Sequence, residues 1–477
     1  MVGRQNPQSS NANENMLVLL VLQLLNLVSK LQEKIIQLEA KIADLQRNST
    51  NSSKPPSSDG PMVQKPKKPR SKRSPGGQKG HPGHQRALVP AEQVDHVVDH
   101  YPARCEKCGS PLAPGAQQES TEPVRFQTFE LPQIKATVTE HRCHELICSR
   151  GRKTRAELPQ EVAKTQFGPR IHAAIAYLGS VHKVGRRGIV EIMNTLFGLD
   201  LSLGTGCDCL ERVSQELAPI TEQLRKTLAE SAHLNADETG WKNRGKHHFP
   251  WTFVSQWVVY FLVRASRGSK VLREILGETF HGIITSDDHS AYSAYHKHGI
   301  RQLCWAHLIR KFKDLKERRA SPHAYLFARN MLKEVGHVFG CWYAFREGFI
   351  NREQLLGATQ LMRARMKRYC LLYQDSTDAE VRTRARRTLK NCDHLFTFLV
   401  HEGVEPTNNR AEQALRPAVQ WRKLGFGSQS ESGERFAERI LTVTRTCQIQ
   451  GKNPFSYLAI LMHAGFADKS RPTLLPK

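Results

Sequence analysis

The residues best suited to chemistry in this chain are carboxylates that end apolar runs. His233-Leu234-Asn235-Ala236-Asp237-Glu238-Thr239-Gly240-Trp241 alternates polar and apolar residues up to a glycine turn. In a strand, Leu234 and Ala236 face one side, and His233, Asn235 and Asp237 the other. A carboxylate buried alone at the end of a central strand is costly, so it pairs with a cation or a metal. Two acids downstream could complete such a site: Asp287, after Ile283-Ile284-Thr285-Ser286, and Glu412, in Asn408-Asn409-Arg410-Ala411-Glu412. Two carboxylates from strands and one from a helix suit Mg²⁺, which takes a few carboxylates together with substrate phosphate oxygens. The plainer reading makes Asp237 a turn residue before Gly240. Glu238 and Asp288 lie one position away and compete for the same roles.

Composition narrows the partner. Lys and Arg number 70 against 45 Asp and Glu, a net charge of +25, which points to a polyanion, most simply nucleic acid. No apolar run reaches the roughly 18 residues that span a membrane. The longest, Leu17 to Leu25, is broken by Gln23, and no basic segment and cleavage site frame it as a signal peptide. Eleven unevenly spaced cysteines fit a cytoplasmic chain with some metal-binding cysteines better than a secreted disulfide framework. At 477 residues the chain has room for about three domains.

The elements that must position these groups follow in order. Residues 1–47 carry a leucine-zipper coiled coil: Leu17, Leu24, Leu31, Leu38 and Leu45 recur every seven residues, with Val21, Val28, Ile35 and Ile42 at the other core position. β-branched residues at a with Leu at d favour a parallel two-stranded coil, hence a homo-oligomer. Lys34 could pair with Glu39 of a partner chain, and the alternative is an amphipathic helix packed on its own domain. Residues 48–90 are a basic linker with eight prolines and nine Lys or Arg against one acid, Asp59. It is too polar to fold alone and serves either as an arm on DNA phosphates or as a solvated spacer.

Residues 91–160 read as a small zinc-finger-like module. Cys105-Glu106-Lys107-Cys108-Gly109 is half of a zinc knuckle. Cys148, with Cys143 or His144, could complete a tetrahedral site, although Gly151 stands where a second CxxC needs its cysteine. Residues 161–232 are helical in pattern, with Ile171, Ile175 and Leu178 at helical spacing. Val184 to Met193 reads as a helix, a turn and a second helix, open to DNA binding or to plain helical packing.

From 233 strands dominate. The first strand is followed by a hairpin, Trp251 to Trp257 with Val258 to Val263, then a helix over Ser269 to Leu276. A strand over Gly282 to Ser286 and a helix over Ala291 to Lys297 come next. A strand over Ile300 to Leu303 and a basic helix over Trp305 to Arg319 complete the part. Three strands, helix, strand, helix, strand is the order of a ribonuclease H-like α/β domain. Residues 233–319 form its first part, residues 320–400 a helical insertion, and residues 401–477 its second part. Pro406 and Thr407 start the Glu412 helix and Pro417 ends it, so it has about three turns at most. Asn409, Glu412 and Arg416 share one face.

These residues resemble the DDE transposases of the insertion sequence 66 family over almost the whole chain. The motifs are the leucine zipper, Asn51-Ser52-Ser53-Lys54-Pro55-Pro56-Ser57-Ser58-Asp59-Gly60, the connector Gly76 to His84 and the cysteine module. Then come Ala236-Asp237-Glu238-Thr239-Gly240-Trp241, Asp287 with Ser290-Ala291-Tyr292, Cys304-Trp305-Ala306-His307, and Asn408 to Pro417 with Arg422-Lys423 after it. Each is weak alone; their order is specific. The chain departs from the family's pattern at Asp288-His289, usually Gly-Tyr, at Gln413, usually Arg, and at Gly151, usually a zinc cysteine.

The resemblance implies a multidomain α+β protein with the coiled coil, zinc module, helical region and interrupted catalytic domain in that order. It implies Asp237, Asp287 and Glu412 as the catalytic triad, holding Mg²⁺ or Mn²⁺, and Cys105, Cys108, Cys143 and Cys148 as zinc ligands. The reaction implied is DNA cleavage and strand transfer at terminal inverted repeats, with two metal ions roughly 3.5–4 Å apart. Arg310, Lys311 and Arg416 are expected to hold the DNA backbone, although Arg416 could simply pair within its helix. His307 is expected to pack beside the site rather than ligate metal. The partners implied are terminal-repeat and target DNA, a second copy through the coil, and accessory proteins of the same element; no membrane is. Two other functions fit the residues: a DNA-binding protein that no longer cleaves, and a ribonuclease H-like nuclease that cuts without joining.

Overall fold

The structure is a computed structural model and describes residues 86–112, 123–163, 165–318 and 321–475, with scattered positions between 24 and 38. Leu24, Val28, Leu31, Ile35 and Leu38 are helical and each 48–54% exposed, an apolar stripe open to water. Leu17, Val21, Ile42, Leu45, the Lys34–Glu39 pairing and the linker up to residue 85 lie outside the described residues. The chain divides into two units, one of Pro66–Thr137 with Leu196–Gly198 and one of the remainder.

The smaller unit has little regular structure. Cys105 to Gly109 forms a tight turn, with the Gly109 amide donating to the Cys105 carbonyl at 2.9 Å and Gly109 at a φ of 72°. The Gln127 amide brackets Val89, accepting from its N–H at 2.8 Å and donating to its carbonyl at 2.9 Å.

In the larger unit a hairpin, β1 (Glu145–Ile147) and β2 (Lys153–Arg155), precedes three helices: α1 (Pro169–Ser180), α2 (Arg186–Phe197) and α3 (Leu203–Ala229). Then come β3 (His233–Glu238), β4 (Trp241–Asn243), β5 (Lys246–Val254), β6 (Val259–Arg264), α4 (Lys270–Leu276), β7 (Ile283–Ser286), α5 (Ser290–Tyr295) and β8 (Arg301–Leu303). β3 lies between β5, antiparallel, and β7, parallel; β8 continues parallel to β7, and β6 pairs antiparallel with the other edge of β5.

Alternation along the strands builds a core on each face. On one, Leu234, Ala236, Trp251, Phe253, Tyr260 and Leu262 meet Val213, Leu217, Ile220, Leu224 and Leu228 of α3. The helical region before 233 is therefore a wall of the main core. On the other, Val259, Phe261 and Val263 meet Ala411, Ala414, Leu415 and Ala418 of α10 (Asn409–Gly425). Three alanines on that helix face let it approach the sheet closely. The edge strand β6 is capped by α11 (Glu431–Ile449): Glu438, Thr442 and Thr446, one helical turn apart, accept from the amides of Val263, Phe261 and Val259 at 2.6, 2.9 and 3.1 Å. Each amide left unpaired there costs about 1–3 kcal/mol, and the cover blocks edge-to-edge pairing. α12 (Pro454–Phe466) completes the first core through Leu458, Leu461 and Met462.

The insertion has a core of its own. With α6 (Trp305–Arg318), which precedes it, α7 (Pro322–Arg346), α8 (Arg352–Tyr373) and α9 (Ala379–Lys390) bury Phe312, Phe327, Met331, Leu355, Val381 and Phe398 together. Gln302 ties it to β8, donating to the Leu395 carbonyl at 3.3 Å and accepting from the Phe398 amide at 2.9 Å.

Several boundaries differ from the sequence expectation: Val184 to Met193 leads into one helix, α2, rather than holding a helix, a turn and a second helix, and β5 runs from Lys246 to Val254 rather than from Trp251 to Trp257. Pro417 does not end the Glu412 helix, which runs on to Gly425. Proline removes the N–H that would bond to the carbonyl four residues back. That carbonyl, on Gln413, accepts instead from Arg445 of α11 at 3.4 Å, and the small-residue packing of α10 on the sheet favours its continuation.

Candidate active site

Asp237 and Asp287 stand side by side. β3 and β7 run parallel with Asn235 opposite Thr285, and each aspartate follows its paired residue by two positions. Glu412 comes from the first turn of α10, whose start is pinned by Asn408. The fully buried Asn408 donates from its side chain to the Ala236 carbonyl at 2.8 Å and accepts from the Asn235 amide at 3.1 Å. Its own N–H reaches Cys304 Sγ at 3.2 Å, and its carbonyl accepts from the Glu412 N–H at 3.1 Å. The Trp305 amide donates to the Pro406 carbonyl at 3.0 Å, tying α6 to the same loop.

The three carboxylates act on one another electrostatically. The Asp237 carboxyl is held well above the usual carboxylate range, first by desolvation and then by Glu238, Asp287 and Glu412 in turn. Its side chain is partly accessible, so the desolvation comes from the protein packed around it rather than from complete closure. Oε1 of Glu412 is buried with no hydrogen-bond partner among the described residues, and His307 Nδ1 stands 3.6 Å away. His307 is pulled below the usual histidine range by burial and by Arg310, against the carboxylates of Asp287 and Glu412. Ligand atoms of Cys304, His307 and Glu412 lie within 4.8 Å of one another. His307 thus stands beside the candidate metal ligands. Burial pushes the Cys304 thiol up to about 11.

Glu238, the competing acid, is committed elsewhere. Its carboxylate pairs with Arg267 at 2.8 Å and accepts from the Tyr292 hydroxyl. Asp288 pairs with Arg387 of the insertion at 2.8 Å. Arg422 donates to the Gly240 carbonyl at 2.7 Å, fixing the turn after Asp237. Arg310 and Lys311 lie on α6 beside His307, and Arg416 is exposed on α10.

The cysteine pairs fall in different units, Cys105 and Cys108 in the smaller, Cys143 and Cys148 in the larger. The Cys108 thiol is lowered to about 7, chiefly by the Ser110 hydroxyl and amide. Cys148 is lowered by backbone amides, that of Arg152 foremost. Gly151 takes a φ of 77° in the turn after Cys148.

Residues 164–435, a span that holds Asp237, Asp287 and Glu412, match the profile of the transposase IS66 family. The chain belongs to the transposase IS66 family. Residues 4–87 match a further family of unknown function, DUF6444. Among relatives of this IS66-family chain are two uncharacterized proteins of Sinorhizobium fredii (strain NBRC 101917 / NGR234). y4qI is 25% identical over 290 residues, 55% of this chain and 53% of that protein. y4hP is 23% identical over 415 residues, 76% of this chain and 71% of that protein. The chain thus spans about half the length of the former. No described helix is long and apolar enough to cross a membrane.

The family motifs pointed to the three carboxylates and to the Cys304 to His307 segment. Asn408 was legible only as part of a motif, and the Glu238–Arg267–Tyr292 group had no signal beyond separate residues.

Proposed function

We propose that this chain is a DDE-type DNA transposase that cleaves and joins strands at the terminal inverted repeats of an insertion sequence. Asp237, Asp287 and Glu412 are its metal-binding carboxylates. The observation that carries this reading is the crowding of Asp287 and Glu412 on a desolvated Asp237. Three carboxylates so close repel unless a cation joins them. The orphaned Oε1 of Glu412 supplies a free hard oxygen, and such oxygens suit Mg²⁺ or Mn²⁺. Bound there, two such ions would activate water or a 3′-hydroxyl and stabilise the leaving oxygen of a phosphodiester.

The strand order β6-β5-β3-β7-β8, in which β5 alone runs antiparallel to the other four, supports the ribonuclease H-like reading with a helical insertion. Asn408 holds the Glu412 helix against β3. Arg267 and Tyr292 neutralise Glu238, which keeps it out of the ligand set. Arg310, Lys311 and Arg416 hold DNA phosphates, the N-terminal coil pairs two copies, and the cysteine pairs bind zinc.

Duplexes carrying the ends of the parent element, incubated with Mg²⁺ and a second DNA, test this. Cut strands joined to the second DNA support the transposase. Cutting without joining favours a nuclease, and binding without cutting favours a silent DNA-binding protein.

A further inference from the structure

A pocket beside the carboxylates is walled by the insertion. Asp288, His307, Lys311, Arg384 and Arg387 line it, with Leu308 among its apolar sides. Lys311 follows His307 by one turn of α6, and Arg384 and Arg387 share a face of α9 at i and i+3. Arg384 is lowered from the usual arginine range by burial and then by Arg387. Lys311 is lowered by burial and then by Arg384, with Asp288 opposing. Three cations gathered where water is partly excluded repel one another, and an anion among them relieves that repulsion.

Among the described residues, Asp288 is the acid that lines the pocket. Its carboxylate meets Arg387 at 2.8 Å, and its carbonyl accepts from the same guanidinium at 3.1 Å. It also directly follows Asp287. An anion seat therefore adjoins the carboxylates, occupied in part by the protein's own acid.

We propose that Lys311, Arg384 and Arg387 seat a phosphodiester flanking the scissile one, and that Asp288 holds Arg387 until DNA phosphate takes its place. The inference rests on the transposase reading and gives the insertion a direct part in substrate binding. Guanidinium groups are suited to this because their planar fork matches phosphate oxygens.

Binding of the full chain to a short fluorescent DNA duplex of arbitrary sequence, followed by anisotropy over a salt series, tests it without requiring catalysis. The Arg384→Ala/Arg387→Ala double variant should bind more weakly, and its slope of log affinity against log salt should fall by about one. Asp288→Asn should bind more tightly than the unaltered chain. An unchanged slope in the double variant would overturn the inference alone, as would Asp288→Asn binding as weakly as the double variant. If the unaltered chain bound no DNA, the transposase reading itself would fall.

Discussion

The side-chain amide of Asn408, four residues before Glu412, donates at 2.8 Å to the carbonyl of Ala236, one residue before Asp237. A single buried side chain thereby sets the spacing between a strand carboxylate and a helix carboxylate. Asn408→Ala would orphan the Ala236 carbonyl and the Asn235 amide, each at a cost of about 1–3 kcal/mol. Nicking by the folded variant should slow at least about tenfold, some 1.4 kcal/mol of barrier, with DNA affinity unchanged. Full nicking speed in a folded Asn408→Ala protein would show that this contact does not position Glu412.

Metal binding should depend on pH. Asp237 has its folded value raised, so its contribution to the stability of the metal-free fold is present at low pH and lost as pH climbs through that raised value. Buried His233, lowered to about 4 by desolvation, works in the opposite sense, losing stability as pH falls. Total stability is therefore not diagnostic, but the increment caused by Mg²⁺ is, because ligands must be deprotonated. The rise in Tm on adding Mg²⁺ should be larger at pH 8 than at pH 5 and absent in Asp237→Asn. An equal rise in that variant would place the ion elsewhere.

How far the sequence reached is clear from these residues. The strand carrying Asp237 was legible because its period of two matches a pleated sheet with Leu234 and Ala236 in the core. Asp287 followed an apolar run of the same kind. Glu412 needed the family motif, since no local pattern links it to β3 across the whole insertion. Pro417 misled because proline ends most helices, and the compensating donor, Arg445, lies on another helix. The Arg387–Asp288 pair joins positions 99 apart, and only the folded insertion brings them together.

The N-terminal stripe predicts self-association. Leu24, Val28, Leu31, Ile35 and Leu38 are helical and half exposed, a seam that a second copy would cover. Leu31→Lys with Leu38→Lys should halve the mass seen by light scattering. A mass unchanged by the pair of substitutions would mean that other contacts hold the oligomer.

Zinc content tests the cysteine pairs. The lowered thiols of Cys108 and Cys148 favour the thiolate that zinc requires. Elemental analysis should find zinc in the purified protein, reduced in Cys105→Ser. Purified protein with no zinc would remove these cysteines from the account as ligands.

Nicking by carboxylate variants tests the central claim most directly. Losing a metal ligand should slow the chemistry roughly 10³-fold or more, while phosphate contacts elsewhere preserve binding. The account predicts that Asp237→Asn, Asp287→Asn and Glu412→Gln each bind terminal-repeat DNA yet fail to nick it with Mg²⁺ or Mn²⁺. Near-normal nicking by any one of them would contradict it and turn attention to Glu238 or Asp288.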